Sequence, residues 1–269
     1  MVIDCANGAG YKAAPEVLWE LGAAVIPVGV SPDGRNINLE CGSTSPTVAA
    51  ETVVAHGADV AICLDGDADR VLIIDEYGRP IDGDQFLGMI GSRWFKNGNL
   101  VENTLVSTVM SNMRLEAFLK QEGIKLVRTS VGDRYVVERM RLNGFNLGGE
   151  KSGHVVMMDY ATTGDGLMAG LQFLAEMVRT GEVASVVGRP FDLAPQKTEN
   201  ITYAGDKNPL DHPSIKKIIS ESEKKISGFG RLLVRKSGTE KLIRIMVEAE
   251  DASVIDATMS PVVAAIKEL

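Results

Sequence analysis

Residues 65–70 put three carboxylates and a guanidinium into one short stretch, Asp-Gly-Asp-Ala-Asp-Arg. An apolar run, Val60 to Leu64, leads in, and another, Val71 to Ile74, leads out. Alternate residues of an extended segment point the same way, so Asp65, Asp67 and Asp69 can converge on one point. Three carboxylates with no imidazole or thiol suit a hard divalent cation, Mg²⁺ before Zn²⁺, at oxygen distances of roughly 2.0–2.1 Å. Without a cation the crowded charges would repel and raise one another's pKa. The plain alternative is a solvated acidic turn, because Asp and Gly are both turn formers. The position of the Gly, and the lack of a Glu at the twelfth place, argue against a calcium loop of the EF-hand type.

Three further loops carry groups that could do chemistry. In Arg-Thr-Ser-Val-Gly-Asp-Arg-Tyr-Val, residues 128–136, the Gly-Asp pair is either ordinary helix capping or a loop that turns Asp133 or Arg134 toward a ligand. In Gly-Gly-Glu-Lys-Ser-Gly-His, residues 148–154, Glu150 could accept from vicinal sugar hydroxyls with Ser152 beside it. The alternative there is a polar hairpin turn, with His154 as a structural residue opening an apolar strand. In Arg-Lys-Ser-Gly-Thr-Glu-Lys-Leu-Ile-Arg, residues 235–244, Arg235 and Arg244 flank Ser237, Gly238 and Thr239. Two guanidiniums around hydroxyls and closely approachable backbone N–H groups make a phosphate clamp. The alternative is a hairpin with two surface arginines, and no Walker A motif is present. His56, at a helix end, and His212, before Pro213, read as structural.

The elements that must position these loops alternate. Val-Ile-Asp-Cys reads as a strand, residues 11–22 as a helix, residues 23–30 as a strand, and residues 46–57 as a helix with Ser45 as its N-cap. Residues 59–64 form the strand before the aspartate loop, and Val71–Asp75 with Arg79–Asp82 a hairpin. A second β-α-β series begins near residue 82, and beyond residue 194 the pattern changes to strand, helix, strand pair and helix, bent at Pro261. The expected fold is therefore α/β: two consecutive mixed α/β sandwich domains, residues 1–79 and 80–194, followed by a small α+β domain, 195–269. In such sheets sites collect at the carboxyl ends of the strands.

The chain has 269 residues, 45% of them hydrophobic, and a net charge of −8. An acidic surface argues against nucleic acid as a partner, while leaving room for a locally basic anion site. The three cysteines, Cys5, Cys41 and Cys63, contain no CxxC pair, which points to a reducing compartment and away from a disulfide scaffold or zinc site. No apolar run approaches 18 residues and Met1 leads straight into a strand, so the expectation is a cytoplasmic chain with no membrane span. That direct entry also hints at an upstream part.

In this order the loops resemble those of the α-D-phosphohexomutase superfamily, essentially from residue 1 to 269. Leu-Asp-Gly-Asp-Ala-Asp-Arg looks like its metal loop, Gly-Glu-Lys-Ser-Gly-His like its sugar loop, and residues 235–244 like its phosphate loop. Asp-Cys-Ala-Asn-Gly-Ala-Gly, residues 4–10, fits the opening of its second domain. Within the superfamily, Thr-Ser-Val-Gly-Asp-Arg-Tyr-Val, Met-Ser-Asn-Met (110–113) and Thr-Thr-Gly-Asp-Gly (162–166) look most like the bacterial phosphoglucosamine mutases.

The resemblance implies that Asp65, Asp67 and Asp69 hold Mg²⁺, with Arg70 as the catalytic side chain beside the reacting phosphate. Glu150 and Ser152 would hold sugar hydroxyls, His154 would approach the substrate, and Arg235, Ser237, Gly238, Thr239 and Arg244 would grip the phosphate that does not react. The implied reaction interconverts glucosamine 6-phosphate and glucosamine 1-phosphate. It runs through a phosphoserine and a glucosamine 1,6-bisphosphate intermediate that turns around. Three positions depart from the pattern: Lys151 in the sugar loop, Ser130 where relatives acting on other hexoses carry Lys, and Lys241 in place of the usual Pro after Ser-Gly-Thr-Glu. No Ser-His-Asn-Pro-type stretch occurs, so the expectation is domains two to four of such an enzyme, with the N-terminal serine domain as a missing partner and no turnover alone. A surface uncovered by that absence would favour altered association, a homodimer included. The rivals are a phosphomannomutase or phosphoglucomutase, a non-catalytic sugar-phosphate module and, last, an aspartyl phosphatase.

Overall fold

The computed structural model describes residues 1–204, 208–237 and 240–268. They fall into two compact units. The first comprises residues 1–111 and 115–192, and the second residues 193–269 together with Asn112–Arg114.

The first unit opens with β1 (Val2–Asp4), α1 (Ala13–Glu20), β2 (Ile26–Val28), α2 (Thr47–His56), β3 (Val60–Leu64), β4 (Val71–Asp75) and β5 (Pro80–Ile81). The strands form a mixed sheet in the order β2-β1-β3-β4-β5. β2, β1 and β3 run parallel, while β4 and β5 return antiparallel. Every residue of β1 and β3 is buried, as expected of inner strands covered on both faces. Val2, Ala61, Cys63 and Ile74 pack with Ala49 and Val53 of α2, and Ile3, Ile62, Leu64 and Ile73 join the larger cluster on the other face.

The unit continues with α3 (Gly83–Lys96), β6 (Thr104–Thr108), α4 (Met113–Gln121), β7 (Lys125–Thr129), α5 (Asp133–Asn143), β8 (Leu147–Gly149), β9 (Val155–Met157), α6 (Gly166–Thr180) and α7 (Ala184–Val187). A second mixed sheet has the order β7-β6-β8-β9, antiparallel only at β9. Val136 and Met140 of α5 pack with Val106 and Val156 on one face. The larger cluster runs from Ile3, Ile62 and Leu64 through Phe86, Leu87 and Ile90 of α3 to Ala169 and Phe173 of α6. Burying a side chain such as Phe173 contributes about 1.5–3 kcal/mol. One continuous core thus runs through both of the α/β segments expected from the sequence.

The second unit holds β10 (Gln196–Thr202), α8 (Pro213–Ile226), β11 (Gly230–Lys236), β12 (Leu242–Ala249) and α9 (Ser253–Lys267). Its antiparallel sheet is ordered β10-β12-β11. Ile243, Ile245 and Val247 face α8 and α9 in a separate core with Ile215, Ile226, Ile255 and Val262. α9 runs through Pro261 as one helix.

Three local details differ from expectation. The strand expected over 23–30 is only three residues long, because β2 is an edge strand with Pro27 at its centre. α2 begins after Pro46 with no side-chain cap, so Ser45 is not its N-cap. The four-residue α7 was not anticipated, since one helical turn carries no periodic signal.

Candidate metal and sugar-phosphate site

The aspartate loop joins β3 to β4 as a turn, not as an extended run. The Ala68 N–H donates to the Asp65 carbonyl at 3.0 Å, and Ala68 is left-handed at φ 61°. Asp65, Asp67 and Asp69 nevertheless each bring an oxygen within 4.8 Å of the others. Asp65 is buried, Asp67 is exposed and Asp69 lies between. The all-oxygen donor set and the Asp69 Oδ1, buried with no hydrogen-bond partner, fit a hard divalent cation. Burial raises the Asp69 carboxyl above the ordinary carboxylate value, and Asp65 and Asp67 add to this, while His154 and Arg70 act the other way.

Arg70 sits at the loop's exit. Its backbone N–H donates to Asp65 at 3.1 Å, and its Nε lies 3.5 Å from Asp65 and 3.7 Å from Asp69. The exposed guanidinium therefore offsets part of the triad's charge while keeping faces open to an anion.

The β8–β9 loop is laid directly on this turn. Arg70 and His154 form an antiparallel bridge, and the Val71 N–H donates to the Gly153 carbonyl at 3.1 Å. Gly153 is left-handed at φ 89°, and a Cβ there would lie 2.0 Å from the Val71 oxygen. Glu150 is half-buried and Ser152 exposed, the accessibility a sugar contact needs. His154 is different: it is only 2% exposed and lies under Asp69, with Nε2 3.5 Å from that carboxylate and neither ring nitrogen hydrogen-bonded. The ring borders the carboxylate triad instead of projecting from the loop's surface.

Asp133 and Arg134 occupy the exposed first turn of α5. Arg134 stacks on Tyr135, 4.5 Å from the ring centroid. The Gly132 N–H donates to Glu150 Oε1 at 3.0 Å, so the backbone before α5 is tied to the β8–β9 loop.

In the second unit, Arg235 and Arg244 are direct cross-strand neighbours on β11 and β12. Each guanidinium has a buried Nε without a hydrogen-bond partner among the described residues. Burial, then the neighbouring Arg244, lowers the Arg235 pKa. Like charges directly opposite are destabilising, and the exposed Glu240, 3.7 Å from Arg244, offsets part of this rung's charge while leaving an excess that suits an anion. Four residue pairs along the same two strands, Arg231 pairs with the fully buried Glu248, so the guanidinium at that end is matched by a buried carboxylate. Ser237 is buried and its Oγ accepts from the Glu240 N–H at 3.4 Å. Gly238 and Thr239 lie outside the described residues.

Sequence reasoning missed three contacts. Lys151 reaches Asp82, the N-cap of α3, at 3.3 Å. Gly164 presses on His154, where a Cβ would lie 2.4 Å from Nε2, and the Gly166 N–H donates to the Ala68 carbonyl at 2.9 Å. The signal for the last two was the pair of glycines in Thr-Thr-Gly-Asp-Gly.

These features coincide with a known family. Models of the phosphoglucomutase/phosphomannomutase family match nearly the whole chain: alpha/beta/alpha domain II at residues 1–78, alpha/beta/alpha domain III at 82–191, and the C-terminal domain at 198–265. The chain belongs to this family of phosphohexomutases.

Among particular proteins, it is 61% identical over 268 residues to a phosphoglucosamine mutase of Cereibacter sphaeroides, covering 100% of this chain and 60% of that protein. It is 62% identical over 267 residues to that of a Ruegeria species, covering 99% of this chain and again 60% of the relative. The chain thus spans about 60% of the length of these relatives. A Burkholderia thailandensis phosphoglucomutase/phosphomannomutase family protein has the same fold, with a TM-score of 0.80 at 19% identity over 99% of this chain and 60% of that one. So does the Aspergillus fumigatus N-acetylphosphoglucosamine mutase solved with GlcNAc-6P and magnesium, with a TM-score of 0.78 at 21% identity over 99% of this chain and 61% of that one. No helix among the described residues is long and apolar enough to cross a membrane.

Proposed function

We propose that this chain carries the cation, sugar and non-reacting-phosphate sites of a phosphoglucosamine mutase, which interconverts glucosamine 6-phosphate and glucosamine 1-phosphate. The observation that carries this reading is the 61% identity to a phosphoglucosamine mutase along the full chain. On this reading the three segments bounded near residues 79 and 194 each contribute one site.

Asp65, Asp67 and Asp69 would hold Mg²⁺, the metal present with the A. fumigatus relative. When bound, the ion neutralises charge on the reacting phosphate. Arg70, beside Asp65 and Asp69, adds a fixed positive group on the same side of the turn. Glu150 and Ser152 orient the sugar through its hydroxyls, and Asp133 and Arg134 border it from the first turn of α5. His154 supports Asp69 from below. Arg235, Arg244 and Ser237, with Gly238 and Thr239, hold the second phosphate by charge-assisted hydrogen bonds. Phosphoryl transfer is mostly positioning and charge neutralisation, which such a division of labour supplies. Glucosamine 1,6-bisphosphate would serve as intermediate and activator, in a cytoplasmic setting.

The phosphoryl donor in this scheme is a phosphoserine from an N-terminal domain. The test is mutase turnover on glucosamine 6-phosphate with Mg²⁺ and a trace of the bisphosphate, for the chain alone and with the N-terminal domain of a full-length relative added. No turnover alone and recovery in trans are expected. Robust turnover alone would refute the need for that domain. A preference for mannose or glucose phosphates in the reconstituted enzyme would shift the assignment to a phosphomannomutase or phosphoglucomutase.

A further inference from the structure

Asp4 ends β1 and is completely buried, with β1 flanked by β2 and β3. A carboxylate there is costly unless it is hydrogen-bonded. Its partners are two backbone N–H groups from different loops: Ala6 donates to Oδ1 at 2.9 Å and Gly42 to Oδ2 at 2.7 Å.

Both loops grip the aspartate turn. From the first, the Ala9 N–H donates to the Gly66 carbonyl at 2.8 Å, and Gly8 lies so close that a Cβ would fall 2.2 Å from the Gly66 oxygen. From the second, the Ser43 N–H donates to the Leu64 carbonyl at 2.9 Å, and a Cβ on Gly42 would lie 2.6 Å from that same oxygen. Leu64 and Gly66 flank Asp65. The intervening segment joins in, because the Asn38 N–H donates to the Ala6 carbonyl at 2.9 Å and Ile37 packs on Gly66.

This region is also where backbone strain collects. Ala6, Asn7, Asn38, Glu40 and Ala68 all have φ between 48° and 61°. Asn tolerates that conformation, whereas Ala and Glu adopt it only where surrounding contacts over-determine the backbone.

We propose that Asp4 is a positioning residue for the cation site: by bridging the Ala6 and Gly42 N–H groups it locks the two loops that fix Leu64–Gly66, and so aims the Asp65 carboxylate. It does this without touching ion or substrate. The inference rests on the reading of Asp65, Asp67 and Asp69 as a divalent-cation site.

The test uses the full 269-residue chain and Mn²⁺ as the probe, counting bound ion by loss of the free-ion electron paramagnetic resonance signal. Asp4→Asn keeps one carbonyl acceptor for two N–H donors, so one loop is released. With circular dichroism showing both proteins folded, the variant should bind Mn²⁺ about tenfold more weakly than the parent, and Asp67→Asn should lose the site. An Asp4→Asn dissociation constant within about twofold of the parent's, far below the effect expected of a supporting partner, overturns the inference and leaves the cation reading standing. A parent that binds no Mn²⁺, or an Asp67→Asn variant that binds like the parent, overturns the cation reading and the inference with it. Should Asp4→Asn fail to fold, hydrogen exchange on the parent decides. Mn²⁺ should slow exchange of the Ala6 and Gly42 amides by about fivefold or more, by reciprocity of coupling; unchanged exchange overturns the proposal.

Discussion

Asp75, at the end of β4, gathers more hydrogen bonds than any carboxylate of the aspartate turn. It is fully buried, and it accepts from the Tyr77 and Arg79 N–H groups at 3.0 and 2.9 Å, from Arg79 Nε at 3.0 Å and from Arg189 at 2.7 Å. Burial pushes the carboxyl up, but the bonds from Arg79, Tyr77 and Arg189 outweigh it and hold the group below its ordinary value of 3.8. A lowered folded-state pKa stabilises above the unfolded value, and that stability is lost as pH falls through the folded one. Asp75→Asn should therefore cost about 2–3 kcal/mol at neutral pH in urea denaturation. The gap to the parent should shrink as the pH is taken below 3.8; a pH-independent gap would show that the charge is not its source. The three aspartates of the turn were legible in the sequence because they are neighbours along the chain. Asp4 and the Gly132 N–H were not, because their partners Gly42 and Glu150 are 38 and 18 residues away. His154 was read from its loop, and only the bridge to Arg70 shows that its ring lies under Asp69.

Among the elements, the β8–β9 hairpin carries the most consequence, since its loop is built onto the start of β4 through Gly153. An Ala there meets both a left-handed φ of 89° and the Val71 carbonyl at 2.0 Å. Gly153→Ala should destabilise the first unit by at least about 2 kcal/mol, read as a lowered urea midpoint, and should weaken Mn²⁺ binding because β4 is displaced with it. A variant with parent stability and parent affinity would show that the loop yields freely. Most inner elements were legible because continuous apolar runs and helical periods mark them, as in Val60–Leu64 and Gly83–Lys96. The errors fell at edges. β2 is cut short by its edge position, and α7 is too short to be periodic. The pattern of the aspartate loop suggested an extended segment, but the Asp65–Ala68 turn brings the carboxylates together by curling the backbone.

At the scale of the molecule, each compact unit has its own apolar cluster. Scanning calorimetry should therefore resolve two transitions. Mn²⁺ should raise only the one belonging to the first unit, and inorganic phosphate only the one carrying Arg235 and Arg244, each by the mass-action stabilisation expected of a ligand that binds the folded form. A single transition raised by both ligands would show that the two cores unfold as one. The bond between Asp4 and Gly42 has a further consequence, in time. The aspartate turn is local and can close with its hairpin on the order of 1–10 μs. The Asp4 carboxylate, by contrast, joins positions 38 residues apart, so it forms only after slower, non-local assembly of β1 with the loops around it. During refolding, helix and strand signals should therefore return before the capacity to capture Mn²⁺. In stopped-flow measurements the chain would pass through an interval in which it looks folded and is still blind to the ion.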